Sequence, residues 1–192
     1  MLFRSGLPKG EYIYRLNKSF IATPNVEFEE VFAEVVRSTI LKKYFFRILS
    51  SKQVEFGCGS CLNVLHMINN SPEIPIYAID FVDPPLKIAE AIGKRRGVEI
   101  HTLLQDMRKM EYFGEDFSNS RIFTFGALEQ LGGPGGAESW LNWAVKQKSS
   151  GFILIEPCVE AYDLGSLVDI SALSFHLKRG YSWGIISSLK KK

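Results

Sequence analysis

The stretch Gln53–Met67, QVEFGCGSCLNVLHM, decides how the chain is read. It opens on a short apolar β-type run, breaks at Gly57 and Gly59, and resumes as an amphipathic helical pattern through Leu62, Leu65 and His66. A strand that turns on glycines straight into a helix brings bare backbone N–H groups and a helix N-terminus to one spot, a ready place for a nucleotide-like ligand. The dinucleotide fingerprint G-x-G-x-x-G needs a glycine at position 62, where it allows close helix–strand packing, and this chain has Leu62. That disfavours an NAD-dependent oxidoreductase. There is no G-K-S/T, so the stretch is not a phosphate-gripping P-loop.

Working outward, alternating apolar runs and helical patterns follow. Ile74–Asp80, Val98–Leu104, Arg121–Phe125 and Phe152–Ile155 read as further strands, the last fully apolar as a buried parallel strand should be. Asp83-Pro84 starts a helix that Gly97 ends, Ala137–Gln147 forms the next, and Leu164–Leu177 another. Trp183–Ser188 reads as a sixth strand. Strands alternating with helices predict an α/β fold with a doubly wound, mostly parallel sheet, whose ligand sits beyond the carboxyl ends of the strands. Residues 1–25 read as irregular, and Val26–Leu49 carries a helical pattern that breaks near Ser38-Thr39. Residues 1–50 are thus expected to form an N-terminal helical cap over a Rossmann-like domain of residues 51–192.

Composition sets the outer bounds. The 192 residues suffice for one α/β domain with a real core, and 46% hydrophobic with 23% charged residues is ordinary globular usage. A net charge of +2 encodes no strong pull toward nucleic acid or an anionic membrane. No apolar run has the length of a membrane span, and the N-terminus lacks the apolar core of a signal peptide, so a cytoplasmic location is expected. Three cysteines argue against a disulfide framework. Cys58 and Cys61 form a CxxC, but with no second pair and three histidines no metal site is expected, and the two read as small residues beside the ligand.

The acidic residues then separate the remaining ligands. Glu55 stands two residues ahead of Gly57-x-Gly59, Asp80 ends the second strand, and Asp106 follows the third in LLQDMRKM. A carboxylate at Asp80 can accept two hydrogen bonds from a ribose diol, in NAD and S-adenosylmethionine sites alike. The run of Glu55, Asp80 and Asp106 over residues 53–110 resembles class I S-adenosylmethionine-dependent methyltransferases, with E-x-G-x-G as motif I and Cys61 in place of its third glycine. The resemblance implies S-adenosylmethionine as cofactor, held by Glu55, Gly57, Cys58, Gly59, Asp80, Phe81, Asp106, Met107, Phe125 and Gly126, with Asp106 accepting from the adenine amino group. A fuller domain of this class continues to an antiparallel seventh strand, so either that strand is missing or the chain is part of a longer protein.

Asp83-Pro84-Pro85 is similar to the D-P-P-Y/F motif of amino-group methyltransferases, but it follows the second strand rather than the fourth, and position 86 is Leu; a helix start is the better reading. The C-terminal run with Tyr162, Asp163, Asp169, His176 and Arg179 resembles sugar O-methyltransferases. With Tyr12, Tyr14, Asn17 and Lys18 these groups suit a polar small-molecule acceptor and not a nucleic acid. His176 and Glu129 are the candidate catalytic bases. The expected function is methylation of a hydroxyl on a sugar-like compound; the alternative is a nucleotide-binding or scaffold protein of the same fold without catalysis.

Overall fold

Alternation along the strands builds two cores at once. In the computed structural model, which describes residues 12–16, 19–23 and 27–191, Val54 and Phe56 of β3 (Lys52–Phe56) face one side of a sheet while Gln53 and Glu55 face the other. The Val54 face meets Ile79, Ile122, Met110, Phe117, Leu128 and the helix α4 (Glu138–Ala144), whose Trp140 and Trp143 close on the Phe56 ring at 5.5 and 5.2 Å between centroids. The opposite core holds Ile76, Ala78 and Phe123 under Val64, Met67 and Ile68 of α2 (Leu62–Asn70), Leu86 and Ala89 of α3 (Asp83–Arg96), and Leu41 of α1 (Phe28–Lys43) with Phe45 just beyond it.

The sheet runs β5-β4-β3-β6-β7, with β4 Ile76–Asp80, β5 Ile100–Leu104, β6 Ser120–Phe125 and β7 Gly151–Ile155, and every pairing is parallel. The chain winds outward from β3 to β5, returns to the middle, and winds outward again through β6 and β7. Strand order therefore switches between β3 and β6, and the crevice outside their carboxyl ends is where such sheets bind ligands. The doubly wound α/β fold is as the sequence pattern requires.

Three elements differ from expectation. Trp183–Ser188 does not become a sixth strand: Gly184 takes a left-handed φ of 94°, and α6 (Ile185–Lys190) follows with Ile185 buried. Only a single parallel bridge, Pro134 with Trp183, remains of the expected strand. Next, residues expected to be irregular form an antiparallel hairpin of β1 (Tyr12–Leu16) and β2 (Ser19–Thr23), so the N-terminal segment is not wholly helical. Asn17 and Lys18 lie outside the described residues. Finally, the long helical pattern ends at Tyr44, not near Ser38-Thr39, and continues as a 3-10 turn over Phe45–Arg47. The helix α5 spans Leu167–Lys178. Among the described residues no helix is long and apolar enough to cross a membrane.

A buried polar clamp fixes the amino end of the sheet. Arg121 of β6, 2% exposed, donates to Gln53 Oε1 at 2.6 Å and lies over the rings of Phe45 and Phe46. The Gln53 amide in turn donates to the carbonyls of Ser71 and Ile74. These bonds satisfy the Gln53 amide and the Arg121 Nη2, groups whose unpaired burial would cost about 1–3 kcal/mol each, while Arg121 Nε stays without a partner.

Candidate active site

The glycine turn after β3 is shaped by backbone demands. Gly57 and Gly59 have φ of 72° and 47°, and a Cβ on Gly57 would come within 2.5 Å of the Ala127 Cβ. Only glycine lets the turn after β3 pass this close to the loop after β6. Gly57 and Cys58 both donate to the Ile79 carbonyl, and Cys61, itself at φ 60°, donates to the Cys58 carbonyl at 2.7 Å before α2 begins.

This turn forms one wall of a cavity of about 470 Å³ at the switch point. All ten residues expected to hold the cofactor line it: Glu55, Gly57, Cys58, Gly59, Asp80, Phe81, Asp106, Met107, Phe125 and Gly126. The carboxylate of Asp80, almost fully buried, accepts from the backbone N–H of Gly59 at 3.1 Å and of Val82 at 3.2 Å. It thereby ties the glycine turn to the end of β4. Two oxygens with about four lone-pair sites leave it free to accept further bonds. Asp106 caps the following 3-10 helix, accepting from Arg108 N–H at 2.9 Å and from the Arg108 guanidinium through both oxygens. That guanidinium holds the Asp106 carboxyl below its usual range.

At the α2 end, Glu55 is wholly buried, and the Asn63 amide donates to its Oε1 at 2.5 Å. Burial pushes its pKa up to about 8, against the lowering effect of Asn63. Glu55 Oε2, Asn63 Oδ1 and Arg37 Nε are buried without a hydrogen-bond partner, and all three side chains line the cavity. Arg37 reaches it from α1 and lies 5.0 Å over the Phe125 ring. Neither Arg37 nor Asn63 was among the residues the sequence singled out. Asn63 lies inside an ordinary helix, and Arg37 belongs to an α1 whose contact with the site is purely tertiary.

The two candidate bases sit differently. Glu129, in the 3-10 turn Leu128–Leu131 after β6, is 9% exposed, and its Oε1 would lie 3.6 Å from a Cβ on the cavity residue Gly126. Burial, then the charge of Glu156, raises its pKa to about 7. Glu156 follows β7 and accepts from the N–H groups of Ala127 and Glu129 at 3.1 and 3.2 Å, which fixes this turn. His176 lies outside the cavity lining. It is 1% exposed, and its Nε2–H donates to the Ser182 carbonyl at 2.7 Å. Ser182 N–H donates to the Glu129 carbonyl, and its hydroxyl accepts from Ala137 N–H. His176 thus braces the segment that holds Glu129. Of the other C-terminal polar groups, Asp169 is buried and accepts from Asp163 N–H at 2.9 Å.

Strand order and glycine turn are those of a doubly wound, Rossmann-like α/β fold, which the chain shares with solved methyltransferases. Among solved structures, the chain is similar to the YcgJ protein from Bacillus subtilis, with a TM-score of 0.60 and 13% identity over 80% of this chain and 64% of that one. It is also similar to an S-adenosylmethionine-dependent methyltransferase from Clostridium acetobutylicum, with a TM-score of 0.51 and 15% identity over 72% of this chain and 60% of that one. A third is a candidate sarcosine dimethylglycine methyltransferase from Galdieria sulphuraria, with a TM-score of 0.54 and 13% identity over 83% and 59%. The chain spans less than two thirds of the length of each of these proteins. The sequence matches no family model and no curated protein.

Proposed function

We propose that the protein binds S-adenosylmethionine in the switch-point cavity and methylates a small polar acceptor, through a hydroxyl of a sugar-like compound. The observation that carries this reading is the convergence of Gly57, Gly59, Asp80 and Asp106 on one cavity that also contains unpartnered buried polar atoms of Glu55, Asn63 and Arg37. Those groups fit the cofactor's chemistry. Asp80 suits the ribose diol, and Asp106 the adenine amino group, with Phe81 and Met107 as apolar walls. The Glu55–Asn63 pair and Arg37 suit the ammonium and carboxylate of the amino-acid end. The cofactor, when bound, supplies an electrophilic methyl group. Residues 1–50 act as a cap insofar as α1 contributes Arg37 to the cavity wall.

The chain's own part is positioning and proton removal. Glu129 takes the acceptor proton, because its raised pKa leaves it basic near neutrality and its Oε1 faces the cavity residue Gly126. His176 acts through Ser182 as a positioning residue. The sugar-like acceptor is supported by the polar and aromatic C-terminal run that includes Tyr162, Asp163 and Arg179. The test is calorimetry with S-adenosylhomocysteine against NAD, then a screen of nucleotide sugars and small phenols with methyl-labelled cofactor. Tighter binding of NAD would overturn the cofactor, and label passing only to RNA or protein would overturn the acceptor. Binding without any transfer would favour the non-catalytic alternative.

A further inference from the structure

The mechanism above makes no use of the two thiols in the glycine turn. Cys58 lines the cavity, and Cys61 lies directly behind it, both reduced and almost completely buried. The hydrogen bond from Cys61 N–H to the Cys58 carbonyl closes a four-residue turn. Such a turn holds its end residues within about 7 Å between Cα atoms, inside the span that a disulfide bridges. The Cys61 thiol turns back into the same loop, donating to the Gly59 carbonyl at 3.7 Å. Cys61 Sγ in addition lies 3.4 Å from the Pro85 carbonyl oxygen. Among the described residues there is no group of three or more His, Cys, Asp or Glu that could hold a metal ion. Cys158, beyond β7, is the third cysteine and is also free.

We propose that Cys58 and Cys61 form a redox-active dithiol in the cavity wall, oxidised by a small peroxide to an intramolecular disulfide that closes the site to its ligand. The cavity gives a small oxidant access to the Cys58 side of the pair. The C-x-x-C spacing sets a second sulfur beside whichever is oxidised first, so an attacking and a resolving thiol are both at hand. The thiolate attacks one peroxide oxygen, the O–O bond breaks, and hydroxide leaves. The other sulfur then attacks the resulting sulfenic acid, forming the S–S bond and releasing a second hydroxide. The two thiol protons convert both hydroxides to water, so two thiols and one peroxide give one disulfide and two waters. Drawing the sulfurs to a bond length of about 2.05 Å tightens the turn that presents Gly59 N–H to Asp80. The closure of the site rests on the proposed cofactor reading; the disulfide itself does not.

The experiment treats the full chain with hydrogen peroxide, alkylates it, digests it and maps the cysteines by mass spectrometry. A Cys58–Cys61 crosslink reversed by dithiothreitol, with Cys158 still alkylated, is expected. S-adenosylhomocysteine should slow the crosslinking, and the oxidised protein should bind it at least about tenfold more weakly, a loss calorimetry resolves readily. Cys158→Ser should keep the crosslink and Cys61→Ser abolish it. Sulfinic acid at Cys58 with Cys61 still free, or a crosslink to Cys158, would overturn the dithiol. Equal binding before and after oxidation would overturn the closure. Failure of the reduced protein to bind S-adenosylhomocysteine at all would count against the cofactor reading, while the crosslink map would still decide the disulfide.

Discussion

Replacing Gly57 by alanine should destabilise the protein through two separable effects. The first is conformational: at φ 72° an L-residue with a Cβ costs about 1–2 kcal/mol relative to glycine. The second is steric: the new Cβ would stand 2.5 Å from the Ala127 Cβ, with backbone of both turns behind it, and overpacking of this kind costs about 1–3 kcal/mol. Gly97, at the C-terminus of α3, isolates the second effect. Its φ is 65°, and a Cβ there meets nothing within 4 Å, so Gly97→Ala carries the conformational cost alone. Urea denaturation of the three proteins should therefore place Gly57→Ala below Gly97→Ala by about 1–3 kcal/mol. Equal stabilities would mean that the turns after β3 and β6 do not meet, and the cavity between them would lose one of its walls.

Asp80→Ala should weaken S-adenosylhomocysteine binding by about 2–3 kcal/mol, as two hydrogen bonds to a charged acceptor are lost; an unchanged dissociation constant by calorimetry would remove Asp80 from the site. Glu129→Gln should lower kcat by about 10²–10⁴ with cofactor affinity intact, and the wild-type rate should rise with pH through an apparent pKa near that of the buried carboxyl, about 7. A mutant with the same pH–rate profile as wild type would clear Glu129 of the role. Glu55 should give stability a downward slope with pH: between its unfolded value of 4.5 and its folded value of about 8 the folded state keeps a proton that the unfolded state has released. Stability then falls as pH rises across this window, by up to about 1.4 kcal/mol per pH unit. Glu55→Gln should flatten that part of the urea-midpoint profile, and parallel profiles for mutant and wild type would contradict the assignment.

Much of this protein is written locally. Residues 53–59 fix a strand and a glycine turn because Val54 and Phe56 alternate with Gln53 and Glu55 and because Gly57 and Gly59 take conformations open to few other residues. The alternation of strands and helices made the parallel sheet and its strand ends legible, while the row of Glu55, Asp80 and Asp106 was picked out by its resemblance to class I methyltransferases and the place of the switch point came from the strand order. The third dimension decided what spacing cannot encode. Trp183–Ser188 is apolar enough for a strand, yet the left-handed Gly184 and the burial of Ile185 turn it into α6. Arg121 and Gln53 look like solvent-facing strand residues until the Phe45–Phe46 turn buries them together. His176 reads as a base in the sequence, but packing commits its Nε2–H to the Ser182 carbonyl, whereas burial, with the charge of Glu156, gives an unremarkable Glu129 its raised pKa. Arg37 comes to the cavity from α1, an element remote in sequence from the turn after β3. Backbone geometry is set by near neighbours in the chain, but desolvation and charge are set by whatever the fold brings alongside, and a single sequence does not display those neighbours.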